Sequence, residues 1–167
     1  MNTKHNVRYL TRAGMIATLY VVLTYVSALF GLSGMGAIQL RLSEALCILP
    51  FFTAAAIPGV TVGCLLANLL TGALWPDIVF GTVATLIGAL GTYALRRYRY
   101  LASLPPILSN TVIIPFVLHF AYVDITQGLP FLFVTVFIGE VLSVGVLGTL
   151  LQASLYKNRH KLFGPMQ

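Results

Sequence analysis

The sequence predicts an all-α integral membrane protein: one domain over residues 1–167, a bundle of six transmembrane helices with both termini cytoplasmic. Three observations carry that expectation. Of the 167 residues, 58% are hydrophobic and only 8% charged, with a mean hydropathy of +0.91, whereas soluble domains hold roughly 25% charged residues. Turn signals divide the apolar sequence into six runs, and a hydrocarbon core about 30 Å thick takes about 20 apolar residues per helix. Nine of the ten Lys and Arg residues fall in three clusters: Lys4, Arg8 and Arg12, then Arg96, Arg97 and Arg99, then Lys157, Arg159 and Lys161. Six spans bring all three clusters to one side, and the positive-inside rule makes that side cytoplasmic. The opposite side holds Arg41, Asp77 and Asp124.

Helix 1 is expected over residues 13–32. A basic start also fits a secretory signal, but about 20 apolar residues exceed the roughly 7–15 of a signal core, so the segment is read as a retained span. Ala13 and Ala17 give it a small-residue face on which another helix can approach closely, in the same bundle or on a partner protein. Glycines at 31, 34 and 36 make a loop. Helix 2 is expected over residues 42–57 with a kink at Pro50, and Pro58-Gly59 is read as the turn into helix 3 over residues 60–74. Gly59 and Gly63 give helix 3 a close-packing face. Both arms are short for a full span, which implies tilt, a thinned bilayer or a buried position.

Asp77 opens helix 4, over residues 78–95, whose many Gly, Ala and Thr residues imply tight packing. Helix 5, residues 104–122, starts at Leu104-Pro105-Pro106 and is expected to kink at Pro115, because a proline removes a helix hydrogen bond. Helix 6, residues 131–155, contains Glu140.

The polar side chains inside this apolar frame are the candidate site. Arg41 and Glu44 stand three apart, hence on one helical face, at the mouth of an apolar run. They form either a ligand gate or an interfacial ion pair. Glu140 lies about 15 Å deep at a rise of 1.5 Å per residue. A carboxylate at that depth costs about 2.5–3.5 kcal/mol on insertion scales, so it is expected to face the bundle interior or a wet cavity. Asn68 and Asn110 lie within helices 3 and 5, where interhelical hydrogen bonding is the alternative to ligand contact. His119 reads as an interfacial histidine, and Cys47 and Cys64 as small buried hydrophobes rather than a disulfide or a metal site. Carboxylates accept paired N–H donors and amides both donate and accept, so the set suits a small planar heterocycle with amide-like edges.

Enzyme readings find little support. Gly31-Leu32-Ser33-Gly34 has the GxSG form seen around the serine of rhomboid-type proteases, with His119 as the only histidine in a span, but four-residue matches in glycine-rich loops are common. No HExxH or GxxxxGK[ST] motif occurs, so a transporter built on this chain alone would not use ATP. A stand-alone carrier or channel, and an intramembrane hydrolase, are the alternatives.

The run Ile38-Gln39-Leu40-Arg41-Leu42-Ser43-Glu44-Ala45-Leu46 resembles the QueT family. So do Ala56-Ile57-Pro58-Gly59 with Gly63-Cys64-Leu65-Leu66-Ala67-Asn68, Asp77-Ile78-Val79-Phe80-Gly81-Thr82, Leu104-Pro105-Pro106 with Asn110, and Gly139-Glu140. The resemblance implies a substrate-binding S component of an energy-coupling factor (ECF) transporter that takes up a queuosine precursor, a 7-deazaguanine-type compound. It further implies a transmembrane T component and two ATPase subunits as partners, with ATP used by the latter. It implies contact of the T component with the Ala13/Ala17 face, and inward delivery by toppling in the bilayer. The ligand set it suggests is Glu140 or Glu44 on the guanine-like edge, Asn68 and Gln39 as amide partners with Asn110 deeper, Arg41 ordering the loop through Glu44, and Asp77 near the outer rim. No metal ligand or cofactor of its own is expected.

Overall fold

The computed structural model describes residues 3–32, 40–122 and 128–159, with side chains from Asn6 onward, and every regular element among them is a helix. In order these are α1 (Thr3–Leu29), a 3-10 helix (Leu42–Phe51), α2 (Ala56–Leu70), α3 (Trp75–Ala94), α4 (Leu104–Ala121) and α5 (Leu129–Tyr156). A π-helical stretch, Val141–Gly148, lies within α5. Helices α1, α3, α4 and α5 are long and apolar enough to cross a membrane, whereas the 3-10 helix and α2 have only 10 and 15 residues. Ser33, Gln39 and Asp124 lie outside the described residues.

The six expected helices are present, and several of their boundary differences occur at prolines. Pro58, read from sequence as a turn, sits in the first turn of α2, where its missing N–H would have had no helical acceptor. The turn lies earlier, between Phe51 and Ala56. Helix α2 ends at Leu70, four residues sooner than expected, and Gly72 follows with φ +71°, a backbone state that glycine adopts without a Cβ penalty. Pro76 and Asp77 belong to the first turn of α3, so Asp77 lies inside that helix rather than ahead of it. Helix α1 begins at Thr3, nearly three turns before the expected start at Ala13, and so carries Arg8 and Arg12 within it.

The segment expected as a kinked α-helix is a 3-10 helix with Pro50 near its end, and every residue from Ser43 to Phe51 is buried. At about 2.0 Å rise per residue it reaches about 20 Å through the bundle interior. Its three-residue period stacks Glu44 and Cys47 on one line.

Close backbone approach holds the long helices around it. A Cβ placed on Gly59 would lie 2.9 Å from Ile16 Cβ and 3.0 Å from the Ala13 carbonyl oxygen; one on Gly63 would lie 2.7 Å from Tyr20 Cβ and 3.1 Å from Ala17 Cα. The glycine face of α2 therefore seats the alanine face of α1. Ala13 and Ala17 are each 7% exposed, so this face is packed within the chain. Between α3 and α4, Gly88 and Gly91 seat Pro106 and Pro105 in the same manner.

One end of the bundle gathers the basic residues. Arg99 and Arg159 both stack on the Tyr156 ring, 4.6 and 3.9 Å from its centroid, and Gln152 Nε2 donates to the Arg99 carbonyl at 3.4 Å.

Candidate functional site

A small cavity of about 20 Å³ lies inside the bundle, lined by Arg41 and Glu44 with residues from α2, α3, α4 and α5. The helical period explains how so many elements reach it. Residues four apart share a helix face, and the wall uses such pairs: Gly81 and Thr85 on α3, Asn110 and Ile114 on α4, and Val136 and Glu140 on α5. Cys64 comes from α2, and Asn68, one turn on, stands behind Gly81 with its Nδ2 3.2 Å from where a Cβ of that glycine would sit.

Glu44 is 2% exposed and is held from three sides. Tyr20 donates its hydroxyl to Oε1 at 2.5 Å, Cys47 Sγ donates to Oε2 at 3.2 Å, and Asn110 Nδ2 donates to the same oxygen at 3.4 Å. Glu140 also lines the cavity and is 8% exposed, yet its Oε2 has no hydrogen-bond partner. It is the last α-helical residue before the π stretch, a distortion found frequently at functional sites. The expectation that a deep carboxylate faces the interior thus meets a carboxylate on the cavity wall with a free oxygen.

Arg41 makes its ion pair with Asp77, at 3.9 Å from Nη2 to Oδ2, and not with Glu44 as the three-residue spacing suggested. The spacing argument assumed that Arg41 lies on the helix, but it is the extended residue ahead of it. Its backbone N–H donates to Ser143 Oγ in the π stretch at 3.2 Å, and the N–H of Leu42 donates to Ser27 Oγ at 2.9 Å. The start of the 3-10 helix is therefore pinned to α5 and α1. Asp77, expected near the rim, is 3% exposed; Tyr122 donates to its Oδ2 at 3.1 Å, and Oδ1 is without a partner.

The other predicted residues separate clearly. Asn68 donates to Cys64 Sγ at 3.6 Å, as does the Thr85 hydroxyl at 3.3 Å. Cys47 and Cys64 are free and buried, as the sequence implied, but both belong to the polar network. His119 is exposed and lies edge-on to Phe120. Gln39 lies outside the described residues. Tyr20, Gly81, Thr85, Tyr122 and Ser143 were not singled out from sequence. The signal for three of them was present, because Asp77, Gly81 and Thr85 follow one another at four-residue spacing, and Tyr20 follows Ala17 on the same face of α1. Among the described residues no group of three His, Cys, Asp or Glu side chains is placed to hold a metal ion.

A second, larger hollow of about 430 Å³ lies between α3 and α4, walled by residues such as Phe80, Phe116 and Phe120. These phenylalanines are 43–77% exposed, and the hollow offers no group that could orient a polar ligand. The small cavity has room for about one water, but of these two hollows it is the one that brings together acceptors, an amide and a guanidinium. A fused-ring ligand requires its walls to part. Tyr20→Phe removes the shortest bond holding Glu44 and is expected to lower the melting stability of the purified protein by about 0.6–1.7 kcal/mol, the range of single hydrogen bonds between membrane helices. An unchanged melting curve would show that this bond contributes nothing net.

Residues 10–157 match the family model described as QueT transporter. The chain is also 37% identical over 86 residues to the Queuosine precursor transporter QueT of Lactococcus lactis subsp. cremoris (strain MG1363), a match that spans 51% of this chain and 50% of the length of that relative. No solved structure matches.

Proposed function

The chain belongs to the QueT transporter family, and from that premise we propose that it is the membrane-embedded S component of an ECF importer, which captures a queuosine precursor of the 7-deazaguanine type. The observation that carries the ligand class is the free Oε2 of Glu140 on a cavity wall shared with Asn110, Glu44 and Arg41. A deazaguanine presents a ring N–H beside an exocyclic amine, two donors that a carboxylate accepts in parallel, and a carbonyl that an amide or guanidinium can donate to. Glu44 already accepts three hydrogen bonds, which favours Glu140 for the guanine-like edge, with Asn110 beside it and Asn68 behind.

In this reading the six helices all lie in the plasma membrane of a prokaryote, with the basic end of the bundle and both termini in the cytoplasm. The Arg41–Asp77 end then faces outward and admits the ligand. A T component and two ATPases supply the energy, ATP being used by those partners, and toppling of the loaded chain turns the pocket inward. Ala13 and Ala17 are committed to α2, so the proposed partner interface uses the lipid-facing sides of the bundle.

Thermal stabilisation of the detergent-purified chain tests the ligand class, with 7-deazaguanines set against guanine, adenine and riboflavin. A ligand that binds the native state stabilises it, by about 2.7 kcal/mol at a hundredfold excess over the dissociation constant, and so raises the melting temperature. A rise selective for deazaguanines is expected. Equal responses to riboflavin, or none to any deazaguanine, would reject the ligand class.

A further inference from the structure

Helix α3 runs from Asp77 at one end of the bundle to a basic end, where Arg96, Arg97 and Arg99 follow its last turn and Lys157 and Arg159 follow α5. Two of these arginines, from separate elements, are gathered on one ring. Arg99 belongs to the connection between α3 and α4 and Arg159 to the residues after α5, and their guanidinium carbons stand 4.6 and 3.9 Å from the centroid of Tyr156. Buried groups hold this clamp in place. Gln152, 2% exposed, donates to the Arg99 carbonyl at 3.4 Å, and it precedes Tyr156 by one turn on the same face of α5. The buried Thr92 hydroxyl donates to the Ala102 carbonyl at 2.9 Å, which ties the connection back to α3.

The chain supplies this clamp with no anion. Glu44, Asp77 and Glu140 are buried inside the bundle, and among the described residues neither Arg99 nor Arg159 has a carboxylate partner; Arg159 Nε has no acceptor at all. A cation gains from a ring face, but a second cation on the same ring is repelled by the first. An anion across the two guanidinium edges replaces that repulsion with charge-assisted hydrogen bonds, and the planar fork of arginine matches a phosphate. The surroundings select the source of the phosphate. Tyr98, Tyr100, Leu101 and Leu104 are all exposed around Arg99 in the chain, so apolar and aromatic surface accompanies the charges where the helices end. A lipid presents phosphate and acyl chain together at that level, and a free anion does not.

We propose that Arg99, Arg159 and Tyr156 form a headgroup site for an anionic phospholipid, with its phosphate across the two guanidinium edges and its acyl chains along the surface at Leu101 and Leu104. The site is separate from the ligand cavity and requires of the reading above only that this end of the bundle lies at a membrane surface.

Native mass spectrometry of the detergent-purified full chain tests the site, with dioctanoyl phosphatidylglycerol titrated against dioctanoyl phosphatidylcholine, and with glycerol phosphate as a headgroup without a tail. The wild-type chain is expected to bind phosphatidylglycerol about tenfold or more tightly than phosphatidylcholine. Arg99→Gln and Arg159→Gln are each expected to weaken phosphatidylglycerol about fivefold, the usual share of one arginine at an anionic membrane surface. Arg97→Gln removes the same charge from the same end, but Arg97 is exposed and outside the clamp, so its effect is expected to stay within about twofold, as for a charge screened by salt. Equal weakening by Arg97→Gln and Arg99→Gln would reduce the site to a diffuse positive surface and overturn it. A wild-type preference near one would overturn it as well, and decides the matter if the clamp variants fail to fold. Glycerol phosphate binding as tightly as phosphatidylglycerol would overturn a lipid as the occupant.

Discussion

Glu44→Gln and Glu140→Gln are expected to fail in opposite ways, although both remove one buried carboxylate from the same cavity. Glu44 accepts from Tyr20, Cys47 and Asn110. A glutamine offers one oxygen and one NH2, so whichever way it turns, donors on one side meet another donor. Each buried donor left unmatched costs about 1–3 kcal/mol, and Glu44→Gln should lose about 2 kcal/mol or more of stability before any ligand is added. Glu140→Gln changes an oxygen that no donor occupies, so the empty protein should lose less stability than Glu44→Gln, about 1 kcal/mol for one unmatched amide. Its deficit should appear on binding, as an affinity for a deazaguanine at least about tenfold weaker, because the amide cannot accept two parallel N–H bonds. Melting curves with and without ligand separate the two. Equal loss of stability in both variants would show that Glu140 is a structural residue, and unchanged affinity in Glu140→Gln would remove it from the pocket.

The second large effect concerns packing. A Cβ on Gly91 would collide with Pro105 Cβ, and one on Gly88 would lie 2.7 Å from Pro106 Cα. Proline is rigid, so α3 and α4 must separate to admit either methyl. The separation would move Gly81 and Thr85 away from Asn110 and Ile114 across the cavity. Overpacking of this kind costs about 1–3 kcal/mol per site, and the double variant Gly88→Ala/Gly91→Ala is expected to lose most of its folded yield in detergent, judged by size-exclusion profile. Gly14→Ala is the control: nothing lies within 4 Å of its added Cβ, and alanine in place of glycine inside a helix favours the helix by about 0.8–1.0 kcal/mol. A double variant as well folded as Gly14→Ala would show that the α3–α4 contact yields easily.

What the sequence determined is what depends on transfer between water and lipid and on helical period. Apolar composition fixed helices as the elements, since a helix satisfies its own backbone where no water can. Depth in an apolar run marked Glu140 as a carboxylate needing an interior face, and the glycine and alanine spacings on α1 and α2 marked surfaces of close approach. Quantities that depend on two distant segments meeting were decided by the tertiary structure. Ala13 and Ala17 were legible as a packing face, but that Gly59 and Gly63 fill it follows only from the placement of α2. Arg41 and Glu44 are neighbours in the chain, yet Arg41 pairs with Asp77 and Glu44 with Tyr20. The chain enters the bundle as a 3-10 helix from Leu42, and the extended residue ahead of it, Arg41, turns its guanidinium toward Asp77 of α3. A spacing rule holds only for the helix type it assumes, and burial on all sides lets packing, not local propensity, select that type.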